Sequence, residues 1–236
     1  MESKMFLKRC TSPEAVFAEG WYNSVPEAHR PKEVYTRNVW SKPDEAVLCM
    51  TCYAHPARSL QHVWDTARAA LWRDTDRKRF MKHLAPPTYA GYICNIAERT
   101  LNDDEYRQVQ RFMAMLCTQR FTRVTACHGD LTMDNVMLDA TLPTSNVIFI
   151  DPGYDRCLPC RELDEAKLLQ SVEGWHNFRL YGKLPFKVKY VHKLLLLTHY
   201  IRLYAHPEKH STHWLQWARN RIDHMLFSPL GGLLKP

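Results

Sequence analysis

The spacing of apolar positions changes character near residue 55. Before it, apolar side chains come in short runs. Met5-Phe6-Leu7-Lys8 reads as a strand, and two more strands are predicted over Glu33–Trp40 and Ala46–Tyr53, with the turn composition Ser41-Lys42-Pro43-Asp44 between them. After the first strand, Ser12-Pro13-Glu14 offers an N-cap, a proline at the first helical position and an acidic first turn. A helix carrying Val16, Phe17 and Trp21 is therefore expected, ending before Pro26. From Pro56 onward the spacing is helical: Leu60, Val63, Trp64, Ala67, Ala70 and Leu71 recur every three or four residues. A second helix is announced by Asn102-Asp103-Asp104-Glu105 and carries Val109, Phe112, Met113 and Leu116. Strand patterning returns at Arg123–Ala126 and Val147–Ile150. Leu163–Tyr181, Val188–Tyr204 and Trp214–Phe227 then space large apolar residues as helices, so the tail reads as a helical buttress. No repeat and no Gly/Ser- or Pro-rich linker interrupts the chain.

Composition narrows the class. The 236 residues, 45% of them hydrophobic, are enough for a substantial core, and 8 Gly with 14 Pro exclude a collagen-like or largely disordered chain. A formal net charge of +7, from 32 Lys and Arg against 25 Asp and Glu, favours anionic ligands such as phosphates, nucleotides or nucleic acid. The longest aliphatic run, Leu194 to Leu197, falls far short of the roughly 20 residues of a membrane helix. Met1-Glu2-Ser3-Lys4 leads into a short apolar patch without the long apolar region of a secretion signal, so a cytoplasmic protein without membrane association is expected, its eight Cys mostly thiols.

Candidate chemistry concentrates in one stretch: His128-Gly129-Asp130-Leu131-Thr132-Met133-Asp134-Asn135, then the apolar strand Val147–Ile150, then Asp151-Pro152-Gly153. H-x-D-x-x-x-x-N followed by a hairpin and a strand ending in Asp-x-Gly resembles the catalytic core of the protein-kinase-like fold. With His-Gly-Asp in place of His-Arg-Asp, it looks like the aminoglycoside and choline phosphotransferase branch, whose members phosphorylate hydroxyls of small molecules. The fold so implied is α+β and two-lobed, with a reduced N-terminal β lobe over residues 1–55 and a mainly helical C-terminal lobe over 56–236.

The resemblance implies roles for single residues. Asp130 would orient or deprotonate the acceptor hydroxyl, while Asn135 and Asp151 would offer oxygen ligands to Mg²⁺. His128 would brace the loop, as would Asp164 in Arg161-Glu162-Leu163-Asp164-Glu165-Ala166, which also reads as a helix N-terminus. The family's strand Lys, which binds the α- and β-phosphates and pairs with a helix Glu, would be Lys8, with Glu19 ahead of Glu14 as its partner. The strand Ala46–Tyr53 would hold the adenine through its backbone. The implied reaction is transfer of the γ-phosphate of ATP or GTP, with Mg²⁺, to a small-molecule hydroxyl.

There are departures from the pattern. Seven residues precede Lys8 and no Gly occurs before Gly20, so the two-stranded glycine-rich lid is expected to be missing. Thr132 stands where protein kinases carry a Lys two residues after the catalytic Asp, and neither an Ala-Pro-Glu anchor nor an activation-loop phosphosite is found, which counts against a regulated protein kinase. A catalytically weak nucleotide-binding or scaffold protein, and a kinase acting on a protein or RNA, are the alternatives.

Other signals compete. Cys49-x-x-Cys52 and Cys157-x-x-Cys160 could together bind zinc, but more than 100 residues separate them, and positions i and i+3 of a strand face opposite sides. Buried or loop thiols are the default reading. The 12 His are scattered without ligand spacing. The basic stretches Arg73–Arg79 and Lys183–Lys189 interleave with acids or apolar positions, so solvated faces are favoured over nucleic-acid contacts.

Overall fold

A computed structural model describes residues 5–39, 42, 44–53, 55–72, 85–122, 124, 126–139, 146–153, 158, 160–175, 184–209 and 211–228. Strand β1 (Met5–Thr11) leads directly into helix α1 (Ser12–Ser24), followed by β2 (Val34–Asn38) and β3 (Glu45–Thr51). These strands form an antiparallel sheet in the order β1-β3-β2, with Lys8 opposite Leu48 and Phe6 opposite Met50. Directly opposed residues share a face, so Lys8 lies on the side where Ala46, Leu48 and Met50 are buried. Its aliphatic stem can cover apolar surface while the ammonium reaches past the sheet. Helix α1 covers that sheet, capped by the Thr11 hydroxyl accepting from the Glu14 amide, with Pro13 in its first turn.

The remainder is mainly helical: α2 (Leu60–Ala70), α3 (Pro86–Thr100), α4 (Asp103–Cys117), α5 (Arg161–Gln170), a π-helical turn over Ser171–Trp175, α6 (Tyr190–Tyr204) and α7 (Thr212–Phe227). A second small antiparallel sheet, β4 (His55–Pro56), β5 (Val136–Asp139) and β6 (Asn146–Phe149), lies among these helices. Helix α6 is buried nearly all round from Val191 to Ile201 and packs on α3, α4, α5 and α7, which places the Leu194–Leu197 run at the centre of the helical body. One continuous core joins Trp21 and Tyr22 of α1, through β6 and α5, to Met225 and Leu226 of α7. The α+β class, with small antiparallel sheets and a mainly helical body, is the one expected.

Several expectations are corrected. Helix α3 has no counterpart in the sequence reading, although Pro86-Pro87 and the four-residue spacing of Tyr89, Ile93 and Ala97 mark it; Ala, Gly and Cys dilute its apolar stripe. At the expected strand Arg123–Ala126, the described residues 124 and 126 are not in a strand, and the Ala126 amide bonds the Leu71 carbonyl. The helix expected over Leu163–Tyr181 leaves α-geometry at Ser171, and residues 176–183 lie outside the described residues. No helix among the described residues is long and apolar enough to cross a membrane.

Candidate active site

Two backbone positions let the His128–Asn135 loop and the segment after β6 lie against each other. Gly129 adopts φ 77°, open to glycine at little cost, and Asp151 adopts φ 54°, which strains a side-chain-bearing residue. The Gly153 amide donates to the His128 carbonyl at 2.8 Å. A Cβ at position 153 would stand 3.0 Å from the carbonyl carbon of Gly129 and 3.2 Å from its oxygen. Both are backbone atoms, so glycine two residues after Asp151 is a packing requirement.

His128 is fully buried and connects both segments. Its Nε2 lies 2.9 Å from the Ile150 carbonyl and its Nδ1 3.3 Å from the Asp130 amide. A carbonyl can only accept and an amide can only donate, so Nε2 carries the proton and Nδ1 is bare. Burial pushes the imidazole pKa below its ordinary value against the pull of Asp164 and Asp130, which agrees with that neutral tautomer. Asp164, in the first turn of α5, lies beneath the loop, also fully buried. Its Oδ1 accepts from the Gly129 amide at 2.8 Å, and its Oδ2 from the His128 amide and Trp72 Nε1, each at 3.0 Å. Burial raises its carboxyl pKa, while Trp72 and the two amides draw it back.

Asp130 is held on both carboxylate oxygens. Lys167 Nζ lies 2.8 Å from Oδ1, and Asn135 Nδ2 donates to Oδ2 at 3.1 Å and to the Asp130 carbonyl at 2.8 Å. Burial opposes its charge, yet Lys167 foremost, with Arg202, holds the carboxyl well below the usual carboxylate range. With the Asn135 amide nitrogen committed to Asp130, its carbonyl oxygen is the end left to accept or to ligate.

Asp151 meets the N-terminal sheet. Lys8 Nζ donates to Asp151 Oδ1 and lies 3.4 Å from Glu14 Oε1, and the Tyr22 hydroxyl accepts from the Asp151 amide at 2.9 Å. Burial disfavours the Lys8 charge, but Asp151 and Glu14 together raise its pKa above the ordinary lysine value. The expected partner Glu19 is not the one that pairs with Lys8: it accepts from the Thr36 hydroxyl at 2.8 Å. Glu14 stands one helical turn from the end of β1, within reach of the cleft face on which Lys8 lies.

Lys167, Trp21 and Tyr22 also belong to this arrangement and escaped the sequence reading as site residues. Trp21 Nε1 donates to the Cys127 carbonyl at 2.9 Å, and its ring meets that of His128 edge-on at 5.2 Å. Lys167 had a signal in its spacing, three residues beyond Asp164 on one face of α5. Of the paired cysteines, Cys49 and Cys160 are buried, Cys52 is exposed and Cys157 lies outside the described residues. Among the described residues no three His, Cys, Asp or Glu side chains gather as a metal cluster.

No family model matches the chain, and no curated protein does. Among solved structures, a protein of Haemophilus somnus 129PT provisionally assigned as a fructosamine-3-kinase, solved at 2.32 Å, aligns over 94% of this chain and 83% of its own, with TM-score 0.53 and 11% identity. An aminoglycoside-3'-phosphotransferase of type VIII aligns over 94% of this chain and 85% of its own, with TM-score 0.48 and 21% identity. The first likeness shows the fold, which is kinase-like.

Proposed function

We propose that the protein is a Mg²⁺-dependent phosphotransferase that moves the γ-phosphate of ATP or GTP to a hydroxyl of a small molecule. One observation carries the reading: the neutral His128 ring spans from the Asp130 amide to the carbonyl preceding Asp151, fixing two carboxylates on either side of one buried imidazole. Phosphoryl transfer needs such a pair, one carboxylate at the acceptor and one at the metal, with catalysis resting on position and charge.

Asp130, kept ionised by Lys167, would orient the acceptor hydroxyl rather than remove its proton early. So weak a base receives the proton late, once the new O–P bond has made the acceptor oxygen acidic. Asp151 and the side-chain oxygen of Asn135 would offer oxygen donors of the kind that suit a hard cation. A bound Mg²⁺ would neutralise phosphate charge there. Lys8 donates to Asp151 and lies 3.4 Å from Glu14 Oε1, so its ammonium would keep a partner were Asp151 to hold a cation. Lys8 is then free to contact phosphate oxygens.

The test is thermal stability with ATP, GTP and ADP, each with and without Mg²⁺. Wild type should gain stability in a Mg²⁺-dependent way, Asp151→Ala should lose that gain, and Asp130→Ala should keep it while transfer falls about 10²- to 10⁴-fold. Acceptors to screen are sugars, amino alcohols and aminocyclitols, with fructosamines added because of the structural neighbour's assignment. Absence of any nucleotide shift at millimolar concentration would sink the proposal in favour of a scaffold.

A further inference from the structure

The loop from Asp130 to Asn135 contains no Lys or Arg, yet Asp130 does not lack a cation. Lys167 supplies it from α5, its Nζ 2.8 Å from Asp130 Oδ1. The placement is rigid. Helix α5 is buried along most of its length, Asp164 on the preceding turn grips the amides of His128 and Gly129, and Ser171 Oγ on the following turn accepts from the Met133 amide at 3.1 Å. The loop is thus fastened to α5 on both sides of Asp130, and Lys167 stands between the fasteners.

The pair is not sealed in the core. The Asp130 side chain is 39% exposed and that of Lys167 14%, so both reach the surface. An ammonium has three donors, and the Asp130 contact uses one. In phosphoryl transfer, negative charge spreads over the three equatorial oxygens of the group in flight, and a fixed cation beside the acceptor acts on that charge.

We propose that Lys167 is a catalytic residue whose ammonium contacts the phosphoryl group as it passes from the nucleotide to the acceptor beside Asp130. This rests on the phosphotransfer reading above. In that step the acceptor oxygen forms a bond to the γ-phosphorus and the bond from that phosphorus to the bridging oxygen breaks. The nucleoside diphosphate leaves with the electron pair, and the acceptor proton passes through Asp130 to solvent. Lys167 also helps keep Asp130 ionised, together with Arg202 of α6, while Asn135 donates to the same carboxylate.

The experiment uses MgADP with aluminium fluoride, a mimic of the phosphoryl group in flight, and reads melting temperature, so no acceptor need be known. Wild type should be stabilised by MgADP and further by fluoride. Lys167→Met should keep the MgADP shift and lose at least tenfold in fluoride-dependent affinity, and Lys167→Arg should retain part of it. Because Lys167→Met leaves the Asp130 charge unpaired, Asp130→Asn and the double variant Lys167→Met/Asp130→Asn are measured beside it. The single Asp130→Asn should keep the fluoride increment and the uncharged double variant should lose it. A full increment in the Lys167→Met proteins, or a wild type that binds MgADP without any increment, overturns the assignment. A wild type that does not bind MgADP overturns the phosphotransfer reading itself, and this inference with it.

Discussion

Asp164 receives backbone and indole donors on both oxygens, and no neutral side chain of the same shape can do so. In Asp164→Asn one oxygen is replaced by an NH₂ group, which would face either the Gly129 amide or the amide of His128 together with Trp72 Nε1. Loss of charge-assisted bonds and two donors set against each other should cost about 3 kcal/mol, read as a lower urea midpoint with an unchanged slope. An unchanged midpoint would mean that the buried carboxyl, which burial already raises, is protonated in the folded protein. The HGD string was legible in the sequence because loop, glycine and acid are local. The pairing of Lys8 with Glu14 rather than Glu19 was not, since both lie on the same helix and only the seating of α1 on β3 selects between them.

Helix α1 acts as a bolt between the two parts of the fold. Successive residues reach different segments: Trp21 bonds the carbonyl that precedes His128, and Tyr22 bonds the amide of Asp151, whose backbone is left-handed. Tyr22→Phe keeps the ring in the core and removes the hydroxyl, which accepts from that amide and donates to Met50 Sδ at 3.9 Å. Stability should fall by about 1 kcal/mol, and the Mg²⁺-dependent part of the nucleotide shift should weaken while the metal-independent part is unchanged. Equal loss of both parts would assign Tyr22 to packing alone. At this scale, elements with large apolar residues at regular spacing, such as α2, α4 and α7, could be read from the chain, whereas α3, built on Tyr89, Ala90, Ile93 and Ala97, was muted by small side chains.

Across the whole molecule, two buried histidines set a pH dependence. His128 and His199 are both held below the ordinary histidine value of 6.5 by burial, with Lys167 and Arg202 adding to the effect at His199. Above that value neither the folded nor the unfolded chain binds the proton. Below it the unfolded chain takes up protons that the folded chain refuses, so stability should fall as pH drops from about 6.5 to 5, by at most about 1.4 kcal/mol per pH unit for each histidine. Asp130 and Glu105, lowered by Lys167 and Arg219, and Glu165, lowered by hydrogen bonds from His192, Trp64 and Arg161, should add a second decline as pH falls through and below the ordinary carboxylate range. Urea midpoints between pH 8 and 2 check this. A flat profile down to pH 5 would show that the histidines accept protons in the folded state. The sequence by itself determined the α+β class and the loop with its Asp, Asn and Asp-x-Gly, because spacing and turn chemistry act over a few residues. Only the tertiary structure decided that Lys167, Trp21 and Tyr22 join the site and that His128 stays neutral. Those outcomes depend on burial and on contacts between segments distant in the chain, which local spacing does not encode.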